Sequence, residues 1–157
     1  MAFATTSYVN GYHLGQMLIN GAAYNLDTDT IRVSLYTDSI GTMDKNANEV
    51  KGGGVYTSNE VDYTGSSVTP GSGANPGTLT NPTVTASAGV IKFADSAATM
   101  AWTDATFTAR GAVIWDDTLS SPADPVLCAI NFGADKQVTV GTFTITWNAS
   151  GIFTATY

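Results

Sequence analysis

The chain has 157 residues, a single cysteine and a formal net charge of -7, from 6 Lys and Arg against 13 Asp and Glu. That length suits one domain burying a core without staples, and a lone cysteine closes no intramolecular disulfide. Nucleic acid is excluded as an expected partner, because neutralising phosphates takes grouped cations, whereas Arg32, Lys45, Lys51, Lys92, Arg110 and Lys136 are scattered.

Charged residues make up only 12% of the sequence, about half the share usual for soluble domains. Thr, Ser, Asn and Gly must therefore cover much of the surface. Met1 to Gln16 lacks a basic stretch followed by an apolar one, and no apolar run approaches about 18 residues. The expectation is a protein made in the cytoplasm and not inserted into a membrane.

In chain order, residues 1–7 have no periodicity and are expected to form an extended, flexible arm. From Tyr8 to Asn20, Val9, Leu14, Met17 and Leu18 fall on one rough helical face, and Asn20-Gly21 offers a stop. This predicts one short N-terminal helix. Asn25 to Asp29 is turn-like. Ile31, Val33 and Leu35 then alternate with Arg32, Ser34 and Tyr36, which predicts a half-buried strand.

Between Thr37 and Pro82 the sequence loosens, with Val55, Tyr56, Val61 and Tyr63 as the only strand hints. Residues 64–82 read as one long Gly/Ser/Pro-rich loop, a length uncommon in compact domains unless it contacts something or stays mobile. Strand signals then become dense, at 84–86, 90–95, 99–102, 109–116, 126–132, 138–147 and 152–157. Turn residues punctuate them, among them Ala88-Gly89, Gly133-Ala134-Asp135 and Asn148-Ala149-Ser150-Gly151. A bulge at Gly141 accounts for the slip in alternation between Val138 and Trp147. The predicted fold over residues 1–157 is a single all-β domain, an antiparallel β-sandwich of jelly-roll or related type, with the short helix and the arm in front.

Chemistry is poorly supplied. Cys128 sits in the apolar run Val126–Ile130 and reads as a buried thiol, since reactive thiols need an electropositive, partly exposed setting. His13 is the only histidine, beside Tyr12 and Leu14, and reads as a partly exposed or packed imidazole. One His and one Cys fall short of a zinc site. Asp27-Thr28-Asp29 opens like a calcium loop but continues with Ile31 and Arg32 and lacks the turning glycine. Asp116-Asp117 reads as a solvated strand end unless a carboxylate from another loop joins it to hold a cation. Gly71-Ser72-Gly73 lacks the Lys-Ser/Thr of a phosphate cradle. Paired carboxylates for glycoside hydrolysis remain a matter of spacing, but Phe107, Trp115, Phe132, Phe143, Trp147 and Phe153 read as core, not as a sugar-lined groove. Asn148-Ala149-Ser150 fits a glycosylation acceptor and reads as a turn. No catalytic residue, metal or cofactor is expected.

One stretch carries a resemblance. Residues 102–118, Trp102-Thr103-Asp104-Ala105-Thr106-Phe107-Thr108-Ala109-Arg110-Gly111-Ala112-Val113-Ile114-Trp115-Asp116-Asp117-Thr118, resemble a segment of a family of small tailed-phage virion structural proteins, of capsid decoration, cement or head-fibre type. Ile130–Lys136, Gly141–Asn148, Gly151-Ile152-Phe153 and the front end, with its Asn25–Thr30 turn and following strand, are similar too. The resemblance spans about the first quarter and the last third of the chain and leaves the middle unmatched. It implies a non-enzymatic particle component made in the host cytoplasm and carried on the exterior of the phage head.

A decoration protein would bind the major capsid protein and hold adjacent subunits together. Phe3, Tyr8 and Tyr12 are the candidate capsid-binding residues. Ordering an arm of about 12 residues costs about 1 to 2 kcal/mol per residue, more than burying three aromatic side chains returns. The grip therefore needs pairing to a capsid sheet edge and multivalency, which predicts a homotrimer. The alternative is a tail- or fibre-associated module recognising host-surface glycan or protein.

Overall fold

The computed structural model describes residues 6–19, 24–69 and 76–156. The arm up to Thr5, with Phe3, and the expected helix stop at Asn20-Gly21 lie outside the described residues, as do residues 70–75 of the expected loop.

Two antiparallel sheets make an all-β, sandwich-like fold with one short helix near the N-terminus, as the strand spacing predicts. The larger sheet runs β1 (Tyr8–Val9), β8 (Val126–Thr146), β7 (Thr99–Asp116), β2 (Ile31–Tyr36), β4 (Gly77–Thr78), with β3 (Ser67–Thr69) also on β7. The smaller sheet runs β5 (Pro82–Ser87), β6 (Val90–Asp95), β9 (Phe153–Thr156). The expected loop over 64–82 thus contains two short strands. They escape sequence reading because each is only two or three residues long.

Turn chemistry sets the small sheet. Ala88 and Gly89 both take positive φ, 51° and 78°, the pair of conformations a tight two-residue hairpin needs to match strand twist. At the opposite end Gly151 has φ 106°, and a Cβ there would lie 2.7 Å from the Phe93 carbonyl oxygen. Only glycine lets the chain turn this close, after which the Ile152 amide donates to the same oxygen at 2.7 Å and starts β9.

The strands expected over 99–102 and 109–116 are one strand, β7, and those over 126–132 and 138–147 are one strand, β8. Bulges keep them joined. Between Ala109 and Gly111 a single residue of β7 faces four of β8, so the expected turn at Gly133-Ala134-Asp135 is an outward bulge inside β8. Between Gly141 and Val138 two β8 residues face one of β7. The expected slip is therefore present, centred one position before Gly141 at Val140, whose φ is 45° and whose amide donates to Thr106 Oγ1 at 2.9 Å. Bulges bend a ribbon and raise its twist, which lets this long hairpin serve both ends of the core.

The larger core lies between the sheets, with Val33, Leu35, Ile114, Trp102, Phe93 and Phe143 among its residues. A second, smaller cluster of Tyr36, Ile40, Met43, Tyr56, Val113, Trp115 and Ala129 lies on the other face of β2 and β7. The half-buried reading of Ile31–Tyr36 is thus corrected: Ser34 and Tyr36 are as fully buried as Val33 and Leu35. The polar, irregular stretch after Thr37 folds back over that face, and Ser34 Oγ accepts from Trp115 Nε1 at 3.0 Å.

Candidate functional site

The helix α1 spans Gly11–Ile19, not the longer stretch from Tyr8. Asn10 caps it: its side-chain oxygen accepts from the His13 amide at 3.1 Å, and its own amide donates to the Leu127 carbonyl at 2.8 Å. Tyr8 and Val9 instead pair with Ala129 and Cys128 on the edge of β8. An asparagine directly before a glycine-initiated helix is a cap signal that the periodicity argument passed over.

This N-terminal unit is tied down by a polar knot. Glu49 lies at its centre, its Oε2 accepting from the hydroxyls of Tyr56 and Tyr8, while its Oε1 accepts from the Asp44 amide at 2.6 Å. The two tyrosine hydroxyls are 3.1 Å apart. Burial raises the Glu49 carboxyl above its ordinary range and raises the Tyr8 phenol as well, the latter helped by Glu49's charge. His13 completes the arrangement. Its Nε2 lies 2.7 Å from the Glu49 carbonyl oxygen and its Nδ1 lies 2.8 Å from the Tyr24 hydroxyl. A carbonyl only accepts, so Nε2 carries the proton and Nδ1 accepts from Tyr24. Burial lowers the His13 pKa and favours this neutral form. Both ring nitrogens thus serve packing, which is the bland reading expected for this residue.

The carboxylates singled out in the sequence meet in part. Asp116 is fully buried and lies near Asp29; its Oδ1 accepts from the Thr118 amide at 2.8 Å, while its Oδ2 has no donor. Burial, with Asp29 adding to it, pushes the Asp116 carboxyl up to about 7. Burial disfavours the charged form of Asp116, and the neighbouring negative charge of Asp29 adds to that. Asp117 turns away and pairs with Arg32 at 2.8 Å. The strand end at Asp116 is therefore buried, not solvated, since the Pro125 carbonyl accepts its amide and draws the loop over it.

Two surfaces among the described residues bear on binding. The first is the outer face of α1. His13 and Met17 turn inward, whereas Leu18 and Ile19 are 81% and 75% exposed and Tyr12 is 38% exposed. The helix Gly-Tyr-His-Leu-Gly-Gln-Met-Leu-Ile carries no charged side chain. Sequence reading put Leu18 on the buried face; the helix is pinned through Asn10 and His13, and that rotation turns Leu18 outward. Of the residues predicted to grip, Tyr12 thus lies on this exposed face, Tyr8 is half-buried in the knot, and Phe3 is outside the described residues.

The second surface is a cleft of about 560 Å³ along β8, walled by Ile130, Phe132, Phe143, Ile145, Trp147 and Ile152. Phe107, Trp115 and Phe143 are buried as expected. Phe132 and Trp147, expected as core, are only partly covered and face this cleft. Cys128 is fully enclosed, and burial pushes its thiol up to about 12. No helix among the described residues is long and apolar enough to cross a membrane.

Comparison of the chain with protein-family models, with curated proteins and with solved structures found no match.

Proposed function

We propose that the chain is a non-enzymatic structural protein of a tailed-phage particle, a decoration protein that binds the major capsid protein on the exterior of the head. The observation carrying this reading is the outer face of α1. Exposed Leu18 and Ile19 on an uncharged helix cost solubility in a free protein, and exposed apolar groups of this kind mark surfaces made to meet another protein. The polar knot around Glu49 supports the same reading, because it holds that face rigidly and spends the ionisable groups on structure. Tyr12 joins Leu18 and Ile19 in the contact, and Tyr8 acts behind it by fixing the helix entry.

Each copy offers only a small apolar face, so holding capsid subunits requires several linked faces, which a homotrimer provides. The resemblance of residues 102–118 to small virion proteins points to the same class of role. The aromatic residues Phe132 and Trp147 in the cleft favour the alternative, a tail- or fibre-associated module recognising host-surface glycan or protein. One observation separates the two: after tails are removed, a decoration protein stays with DNA-filled heads, and a tail or fibre module leaves with the tails.

A further inference from the structure

We propose that the cleft along β8 binds a single-chain amphipathic anion, an apolar tail ending in a carboxylate of the fatty-acid kind. This inference does not rest on the particle role.

Unequal sheets leave the cleft open. The small sheet has three strands and ends at β9, whereas the larger sheet has six. Among the described residues no further strand follows β9 over the inner face of β8. Apolar side chains on that face therefore form a wall with little cover. Phe132 and Phe143 stand with ring centroids 6.0 Å apart, and Phe132, Trp147 and Ile152 are only partly buried. The space they enclose, about 560 Å³, falls within the range of about 300 to 1,000 Å³ usual for small-ligand sites.

Lys136 supplies the polar end. It pairs with Ala109 across the ladder, as Val138 pairs with Phe107, and cross-strand partners share one face of a sheet. Ala109 and Phe107 belong to the larger core, so Lys136 stands on the interior side of β8, where it lines the cleft and is still exposed. Among the described residues it makes no ion pair. The adjacent Asp135 is held by Arg110 at 3.2 Å, and no Asp or Glu is among the cleft-lining residues.

A cation set at the edge of an apolar wall, without a carboxylate to answer it, complements a ligand that brings its own negative charge on a hydrocarbon body. A sugar would find no carboxylate there to accept from its hydroxyls, and a cationic amphiphile would meet Lys136 with the wrong sign.

The test is calorimetric titration of the full chain with decanoate and with decyltrimethylammonium, which has the same tail and the opposite charge. Decanoate should bind at one site per chain and severalfold more tightly, although the net charge of -7 favours the cation everywhere else on the surface. Lys136→Met keeps the apolar stem and removes the charge. It should erase that preference with the far-ultraviolet circular dichroism unchanged. Decanoate carrying a bromine at the tail end should quench tryptophan emission in the wild-type chain and lose most of that effect in a Trp147→Phe variant. No saturable binding of decanoate, equal affinity for the two amphiphiles, or a preference that survives in Lys136→Met would overturn the proposal. So would quenching retained in full by Trp147→Phe, since the ligand would then lie elsewhere. Retention or loss of head binding by these variants bears on the particle role alone.

Discussion

His13 Nε2 holds the backbone carbonyl of Glu49 at 2.7 Å, across 36 positions of sequence. That bond joins the helix to the segment covering the second face of β2, and the Val126 amide donates to the same carbonyl at 2.9 Å. Replacing His13 with Ala leaves the Tyr24 hydroxyl without its partner and opens a cavity. Urea unfolding should show a loss of about 2 to 4 kcal/mol with an unchanged slope. A loss within about 0.5 kcal/mol, the range of surface changes, would mean that the imidazole is not part of the structural knot.

The Asp29–Asp116 pair predicts a pH dependence of definite sign. The folded pKa of Asp116, about 7, exceeds the unfolded value of about 3.9. Folded chains hold more protons between those values, so this contribution to stability is complete below about pH 4 and is lost as pH rises through about 7. His13 works in the opposite direction, its lowered pKa removing stability as pH falls through the ordinary histidine range. The Asp116→Asn variant keeps the His13 contribution. The difference in unfolding free energy between the two proteins should therefore grow in the variant's favour from pH 5 to pH 8. A difference that does not change with pH would show that Asp116 ionises normally.

Gly151 brings the chain close against β6 just before β9 begins. A methyl group there meets the Lys92 side chain at 2.6 Å and the Phe93 carbonyl oxygen at 2.7 Å, at a φ of 106°. Gly151→Ala should destabilise the protein by about 3 kcal/mol or more and raise hydrogen exchange along β9. Wild-type exchange in the variant would contradict the turn geometry.

Cys128 should be chemically silent in the folded protein. Its thiol is enclosed and its pKa is pushed up to about 12, so the thiolate that reacts with disulfide reagents is scarce. Labelling should proceed only at the rate of unfolding. Rapid labelling at neutral pH in native buffer would contradict the burial.

Legibility in the sequence followed the range of the interactions. The Ala88-Gly89 hairpin, the late strands and the buried Cys128 were readable because each depends on neighbours a few residues away. The lengths of β7 and β8 were not, because Gly133 and its flanking residues look like a turn when they are a bulge within a strand. The place of Tyr8 is hidden in the local sequence, because its partners, Glu49 and Tyr56, are 41 and 48 positions distant. The second buried face of β2 was hidden for the same reason, its cover being an irregular polar segment with no periodicity. Leu18 shows the limit of a helical wheel: its period is right, but the rotation is set by Asn10 and His13. Asp29 and Asp116, each noted in the sequence, became a pair only through the fold.

Binding of the purified protein to tailless, DNA-filled heads tests the central claim most directly, because every part of the proposed role passes through the outer face of α1. Cosedimentation should saturate for the wild-type chain. It should be lost for a Leu18→Ser, Ile19→Ser double variant whose melting temperature is unchanged, both residues being exposed. Heads that recruit neither protein, or that recruit the variant as well as the wild type, would contradict it.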